Sequence, residues 1–188
     1  ESVCALEQCH RLVGVDRYSN WPEAVIAKLP KVGGGLDPSI EAVVALKPDV
    51  VLMSVSSRAS DRLEALGLTV VQLEPKTHAD VRRVLGTVSD LLGVPRAQGS
   101  DRLWRVIDAG VLAAAQSLPP KAKNVRVYFE VSRGPYAAGE ASFIGESLTR
   151  LGVRNVVPAA LGPFPRLNPE FVVRANPDII MIGNRSMQ

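Results

Sequence analysis

The sequence has few of the residues that metal sites, redox sites and disulfide frameworks require. Of its 188 residues, two are histidine and two are cysteine. Two histidines exclude a metal site built from several imidazoles, and without a Cys-x-x-Cys motif neither a structural zinc site nor a redox site is expected. Cys4 and Cys9 lie five residues apart in a segment that reads as helical. That spacing points them to different faces of a helix, so a disulfide between them is disfavoured.

Long runs of like-charged residues and long runs of apolar residues are also lacking. The net charge is +3 with 22% charged residues, and like charges do not cluster, so a nucleic-acid partner is not expected. No apolar run approaches the ~20 residues that cross a bilayer. The chain opens with ESVCALEQC, without a start residue or a basic leader, and this pattern is typical of a mature or trimmed product.

Motifs for covalent catalysis are missing as well. The sequence has no G-x-S-x-G elbow, no kinase motif set and no catalytic pairing of cysteine with histidine. Glu130, Glu140 and Glu146 are candidate acid–base groups, but nothing in the sequence supplies a nucleophile beside them. We therefore expect a protein that is not an enzyme, with a soluble α/β enzyme of unknown reaction as the competing class.

One stretch occurs twice. Residues 41–53 read EAVVALKPDVVLM and residues 170–182 read EFVVRANPDIIMI, with glutamate, valine, proline and aspartate at identical offsets. In each copy an amphipathic segment is closed by a Pro-Asp turn, because proline cannot continue a helix. The apolar run that follows does not alternate, which favours a parallel strand covered on both faces. The repeat therefore predicts two lobes built on one plan.

The order of elements predicts an α/β fold in which each lobe has a mostly parallel sheet flanked by helices. A short strand is expected at Leu12–Val15, and a helix should follow the glycines at 33–35, capped by Asp37. Residues 96–118 keep helical spacing and predict one long helix that joins an N-terminal lobe, 1–95, to a C-terminal lobe, 119–188. Both lobes are expected to lack elements at the ends of the chain, since so few strands would leave a sheet edge open.

A polar turn with two aromatic residues, DRYSNWP, directly follows the first predicted strand. In open α/β sheets ligands bind beyond the carboxyl ends of the strands, where this turn should lie. Tyr18 and Trp21 are therefore candidate ligand contacts, although Trp21 could instead pack beneath the turn.

Taken together, these stretches resemble the substrate-binding proteins of bacterial ABC importers for vitamin B12, iron-siderophores and haem. The resemblance runs through nearly the whole chain, in VGVDRYSNWP, LPKVGGGLDPSIEAVVALKPDVVLM, GLTVVQLEP, GPYAAGEASFIGESLTRLGVRNVVP and LNPEFVVRANPDIIMIG. It implies two lobes joined by a single long helix. It also implies capture of a small-molecule ligand between the lobes and delivery of that ligand to a membrane permease.

In that family one glutamate near the tip of each lobe docks into arginine pockets of the permease. The matching positions are Glu41 and Glu170. Charge-assisted pairs of arginine with carboxylate are directional, which suits two acidic points held apart by a stiff spacer. The resemblance thus implies a periplasmic protein, or one lipid-anchored on the outer face of the membrane, and we expect it to be a monomer.

The resemblance leaves two ligand classes open. For a corrinoid such as cobalamin the expected contacts are aromatic, at Tyr18, Tyr136 and Phe164, because flat rings bury large apolar area at low entropic cost. However, Gly34-Gly35 and Met53-Ser54 stand where close cobalamin binders carry tryptophan. A ferric siderophore or haem would instead use arginines, and the arginines available in the cleft loops are Arg17, Arg58, Arg133 and Arg166. No resident cofactor or metal is expected beyond the transported ligand.

Overall fold

The computed structural model describes residues 1–132 and 134–183 as a mixed α/β protein. Its α-helices are α1 (Ser2–Ala5), α2 (Glu23–Ile26), α3 (Ile40–Ala45), α4 (Ser60–Ala65), α5 (His78–Leu91), α6 (Ser100–Ser117), α7 (Phe143–Leu151) and α8 (Pro169–Ala175). Its strands are β1 (Val51–Met53), β2 (Val70–Gln72), β3 (Arg126–Ser132), β4 (Tyr136–Ala137), β5 (Arg154–Asn155) and β6 (Ile179–Ile182).

The chain divides into two compact units. Unit 1 consists of Glu1–Pro75 with Asp80–Leu103, and unit 2 of Lys76–Ala79 with the described part of Trp104–Gln188. The long helix that the sequence predicts over 96–118 is present as α6, and the division between the units falls within it. The four-residue segment Lys76–Ala79 of unit 2 lies, in the sequence, between the two segments of unit 1.

Unit 1 has a small parallel sheet covered by helices. Strand β1 pairs in parallel with β2, with Val51 opposite Val70. Val43 of α3 and Leu63 of α4 are buried against these two valines, so the apolar stripes of both helices close the core. The strand predicted at Leu12–Val15 is reduced to a single parallel bridge between Val15 and Lys31.

The two cysteines form a disulfide, and the sequence-based expectation against it was wrong. Helix α1 ends at Ala5, Glu7 has the left-handed φ of 64°, and Cys9 begins a separate 3-10 turn. Because the chain reverses at Glu7, the Cα atoms of Cys4 and Cys9 lie 4.3 Å apart. The argument from helical faces failed because the segment is not one helix.

Reducing this disulfide is expected to destabilise unit 1 by about 2 kcal/mol, the loop-closure entropy of so short a ring. Urea unfolding with and without dithiothreitol measures the loss. Cys9→Ala is the control, since it leaves the apolar Cys4 thiol packed against Val15 and Ile26 but has no bond to reduce. Equal stability of the oxidised and reduced wild type would contradict the prediction.

Unit 2 is built around β3. It pairs in parallel with β5 and β6 and antiparallel with β4, so the prediction of a mostly parallel sheet is confirmed. Asp178, the aspartate of the second Pro-Asp turn, precedes β6 and is hydrogen-bonded to Arg126 of β3. Its carboxylate accepts from the Arg126 backbone N–H at 2.8 Å and from the Arg126 guanidinium at 3.0 Å, and these bonds lower the pKa of Asp178.

Strand β6 differs from the expectation in one respect. Its apolar run is parallel as predicted, but all four of its residues, Ile179–Ile182, are exposed rather than covered on both faces. Among the described residues only β3 pairs with it, so one edge of β6 is open. The apolar run therefore predicted the strand correctly but not its burial.

Tyr128 of β3 lies at the centre of the unit 2 core with 2% of its surface exposed. Its hydroxyl has no hydrogen-bond partner among the described residues. Burial, and then the charge of Glu130, raise the pKa of this hydroxyl. Among the described residues, no hydrogen bond therefore compensates for the burial of the Tyr128 hydroxyl oxygen.

Tyr128→Phe is therefore expected to leave the free energy of unfolding unchanged or to raise it by about 1 kcal/mol, because it removes an unsatisfied group and keeps the ring. Tyr128→Ala should lower it by about 3–5 kcal/mol through the cavity it creates. Urea unfolding of the three proteins checks both. A loss above 1 kcal/mol in Tyr128→Phe would show that the hydroxyl has a partner in solution.

Candidate functional site

The aromatic turn of unit 1 is held by its first residue. The Asp16 carboxylate accepts hydrogen bonds from the backbone N–H groups of Tyr18 and Ser19 at 2.8 and 3.1 Å, and from the Ser19 hydroxyl at 2.5 Å. Partial burial acts to raise the pKa of Asp16, but these hydrogen bonds outweigh it and lower the pKa. An aspartate that accepts hydrogen bonds from backbone N–H groups two and three residues ahead is a local turn signal, so this part of the turn depends on neighbouring residues.

The turn presents its rings to solvent. Tyr18 is 60% exposed and Trp21 is 53% exposed, so Trp21 does not pack beneath the turn. The Arg17 guanidinium carbon lies 5.9 Å from the centroid of the Tyr18 ring. The Arg17 backbone N–H donates to the Gly33 carbonyl at 2.8 Å, which joins the turn to the glycine segment. An exposed ring with a cation over it is therefore available to a ligand.

Beside this turn is an open cavity of ≈ 480 Å³. Its lining is mostly polar and consists of Arg17, Ser19, Asn20, Glu23, Ile26, Ala27 and Lys31. The Lys31 ammonium donates to the Ser19 carbonyl at 2.8 Å. Sequence reasoning missed Lys31 because it reaches the turn only through its pairing with Val15, fifteen or so residues away along the chain.

In unit 2 two loops come together as an antiparallel pair. The Ala137 N–H donates to the Pro165 carbonyl at 3.0 Å, the Gly139 N–H donates to the Pro163 carbonyl at 2.9 Å, and Tyr136 bridges to Arg166. The backbones approach so closely at Gly139 that a Cβ there would lie 2.3 Å from the Gly162 oxygen. A glycine is required at this position for the two loops to meet.

This pairing brings three of the predicted ligand contacts into adjacent loops. Tyr136 is 43% exposed and Phe164 is 49% exposed, and Arg166, two residues after Phe164, is exposed as well. Arg133 lies outside the described residues. Unit 2 therefore offers two solvent-facing rings and one cation on a pair of hydrogen-bonded loops.

The first predicted docking carboxylate lies at the start of α3. Ser39, rather than the expected Asp37, is the N-cap, and its hydroxyl accepts the Ala42 N–H at 3.1 Å. The cap moves because Pro38 forms a bridge to Gly33, so the helix starts at Ile40, two residues later than expected. Glu41 follows in the first turn and is exposed.

The second copy has the same local plan. Asn168 caps α8 by accepting the Phe171 N–H at 2.8 Å, and Glu170 is exposed in the first turn. Both helices end in a left-handed residue before proline, Lys47 at φ 47° and Asn176 at φ 45°. The repeat read from the sequence is thus a structural repeat, confirmed from cap to strand. Within the described residues, neither glutamate belongs to an ion pair.

The candidate acid–base residues have structural partners. Glu140 accepts the Ala159 backbone N–H at 3.1 Å, and Glu146 accepts the His78 backbone N–H at 2.6 Å. Glu140 and Glu146 therefore each bind a backbone N–H group from a distant part of the sequence.

His78 is the centre of a packed cluster in unit 2 that sequence reasoning missed. Its ring stacks on Phe143 with centroids 4.4 Å apart, and Nε2 lies 2.9 Å from the Ser147 hydroxyl. Nδ1 lies 2.8 Å from the Arg150 guanidinium, which in turn pairs with Asp108. Because a guanidinium only donates, Nδ1 accepts and the ring proton is on Nε2. No local sequence signal reveals this cluster, since its members come from three separate segments.

Comparison with known proteins decides the family. The profile described as "Periplasmic binding protein" matches residues 1–188. This chain belongs to that family.

Individual relatives of this family member match most of its length. It is 29% identical over 184 residues to a protein of Halobacterium salinarum named cobalamin-binding protein, covering 92% of this chain and 48% of that one. It is 27% identical over 195 residues to YvrC of Bacillus subtilis, named an uncharacterized ABC transporter substrate-binding lipoprotein, covering 96% of this chain and 59% of that one. The chain thus spans about half to three fifths of these relatives.

A solved structure supports the same fold. The crystal structure of a periplasmic heme binding protein from Pseudomonas aeruginosa superposes with a TM-score of 0.79 at 26% identity, covering all of this chain (100%) and 69% of that one.

Neither a metal-binding cluster nor a membrane-spanning helix is found among the described residues of the family member. Among residues 1–132 and 134–183, no group of three histidine, cysteine or acidic side chains is arranged to hold a metal ion. In the same part of the chain no helix combines the length and apolarity that crossing a bilayer requires.

Proposed function

We propose that this chain belongs to the substrate-binding component of an ABC importer and captures a corrinoid for delivery to a membrane permease. The observation that carries the proposal is the pair of ordered turns, one in each unit, that hold aromatic rings in solvent: Tyr18 and Trp21 in unit 1, Tyr136 and Phe164 in unit 2. Aromatic rings supply large apolar area to an interface when a ligand covers them. The cobalamin-binding relative supports the ligand class.

A ferric siderophore or haem is the second candidate, and a specific observation favours it. Arg17 and Lys31 both line the unit 1 cavity, and Arg166 lies beside the rings of unit 2. Cations in these positions suit a ligand with anionic oxygen groups. The likeness to a heme binding protein at 26% identity supports this candidate.

Function as a soluble enzyme has less support. Two of its three candidate carboxylates, Glu140 and Glu146, are used to hold backbone N–H groups. The family model and the relatives named as substrate-binding or ligand-binding proteins favour binding without catalysis.

We place the protein in the periplasm or, as a lipoprotein, on the outer face of the membrane. The disulfide between Cys4 and Cys9 supports an oxidising compartment, since such bonds rarely persist in the cytosol. The relative named as a lipoprotein supports the anchored alternative. The proposed permease contacts are Glu41 and Glu170, both exposed, and the binding component is expected to act as a monomer.

Titration of the full-length protein with cyanocobalamin, haem and a panel of ferric siderophores tests the ligand. Intrinsic fluorescence should report binding through Trp21, which is exposed beside the proposed contacts, so Trp21→Phe should remove most of the response. Trp104→Phe is the matched control, because Trp104 lies edge-on to His78, 6.3 Å between ring centroids, within unit 2. Tight binding of a siderophore or haem with no calorimetric response to cyanocobalamin would replace the first candidate with the second.

A further inference from the structure

The Ser39 hydroxyl makes two hydrogen bonds at once. It accepts the Ala42 backbone N–H at 3.1 Å, which caps α3, and it donates to Oε2 of Glu41 at 3.1 Å. A hydroxyl has one proton and two lone pairs, so both roles are compatible. The residue that starts the helix also holds the exposed carboxylate two residues later.

The Glu41 carboxylate accepts this hydrogen bond while its surface stays exposed. Its own backbone N–H and then the Ser39 hydroxyl lower its pKa, desolvation acts weakly against them, and the charge of Arg62 adds to the lowering. The group is nevertheless fully exposed, so its remaining lone pairs face solvent. It is an accessible carboxylate that the Ser39 hydroxyl helps to orient.

The equivalent carboxylate in unit 2 is not held in this way. Asn168 uses its side-chain oxygen to cap α8. Among the described residues, the Glu170 carboxylate has no hydrogen bond and no ion pair. The repeat therefore places two glutamates at the same helical position. Among the described residues, only the side chain of Glu41 accepts a hydrogen bond from the capping residue.

We propose that Ser39 is a positioning residue for the docking of Glu41, and that docking is asymmetric, with Glu41 a preorganised anchor and Glu170 an adaptable one. The proposal rests on the function proposed above, in which both carboxylates meet cationic groups of the permease. A charged hydrogen bond to a guanidinium depends on direction, and a carboxylate that is already oriented loses less side-chain freedom on binding.

The proposed asymmetry predicts that the two glutamates contribute unequally to permease binding. Immobilising one flexible side chain weakens binding by about threefold to tenfold. Glu41→Gln is therefore expected to weaken permease binding about threefold to tenfold more than Glu170→Gln does.

Ser39→Asp separates positioning from capping. Aspartate is as good an N-cap as serine, so helix α3 and the melting temperature should be retained. Its carboxylate cannot donate to Glu41 and adds a like charge beside it. Two results are expected: a higher Glu41 pKa in a carbon-detected NMR titration of the free protein, and permease binding about threefold to tenfold weaker in nanodiscs.

Two variants serve as controls. Ser39→Thr keeps the hydroxyl and should match the wild type in both measurements. Asn168→Asp adds the same charge and keeps a cap at the equivalent position, but among the described residues Glu170 makes no hydrogen bond that the change would break, so permease binding should change less than in Ser39→Asp.

The failures are distinguishable. If Ser39→Asp leaves both the Glu41 titration and permease binding as in the wild type, Ser39 does not position Glu41 and the inference is overturned. If the titration shifts but binding does not, positioning exists without a role in docking, which also overturns it. If neither Glu41→Gln nor Glu170→Gln alters permease binding, the proposed docking itself is wrong.

Discussion

Replacing both Glu41 and Glu170 with lysine is expected to abolish permease binding and transport while ligand affinity stays unchanged. Each substitution turns an attraction to a cationic pocket into a repulsion. Exposed ion pairs contribute little singly, so each single variant should retain partial binding and the full effect should require both. Binding of the purified protein to the permease in nanodiscs, alongside ligand titration of the same samples, measures the two properties separately.

A charge-matched control is available for that experiment. Glu1 and Glu64 are both exposed, and Glu1→Lys with Glu64→Lys changes the net charge by the same amount. If this control abolishes binding equally, net charge rather than the two repeated carboxylates is responsible. Loss of ligand affinity in the Glu41 and Glu170 double variant would also contradict the prediction, because it would place those residues in the ligand site.

The combined Tyr136→Ala and Phe164→Ala variant should weaken corrinoid binding by about 3–5 kcal/mol, by analogy with the truncation of buried aromatic residues. That loss is more than a hundredfold in the dissociation constant. Both rings are about half exposed without ligand, so their removal should not unfold unit 2, and a ligand would cover the surface they now expose to water. Calorimetric titration with cyanocobalamin gives the loss directly.

Conservative variants sharpen this test. Tyr136→Phe keeps the ring and should bind as the wild type does, and Arg166→Ala should have little effect on a ligand held mainly by apolar contact. The opposite result, a large loss for Arg166→Ala or Arg17→Ala and a small one for the ring variants, would favour an anionic iron chelate or haem.

The sequence predicted the parts of the fold that local chemistry determines. The prolines after Lys47 and Asn176 allowed the two turns to be predicted. The glutamate seven residues before each proline allowed the repeat to be recognised. The Asp16 turn was also local, since its carboxylate bonds to Tyr18 and Ser19, two and three residues further along the chain. The sequence predicted these features because each depends on neighbours within a few residues.

Features that depend on distant pairing were not predictable in the same way. The disulfide required knowing that the chain reverses at Glu7, a non-glycine residue in a left-handed conformation that carries no sequence signal. Lys31 reaches the aromatic turn through its bridge to Val15, and His78 meets α7 across about seventy residues. The proposed ligand contacts of unit 2 were grouped by resemblance, and the loop pairing at Gly139 supplies the physical reason for their proximity.

Unit 2 is discontinuous in sequence, because the segment Lys76–Ala79 belongs to it. A fragment cut to begin at Trp104 would leave the Phe143 ring uncovered and deprive Glu146 and Arg150 of their bonds to His78. During synthesis the ribosome makes His78 before residues 146–150, so the bonds between His78 and Glu146, Ser147 and Arg150 form only after those residues have emerged. The two halves of this protein therefore cannot be separated by a single cut in the gene, and unit 2 is completed by a piece of chain made before it.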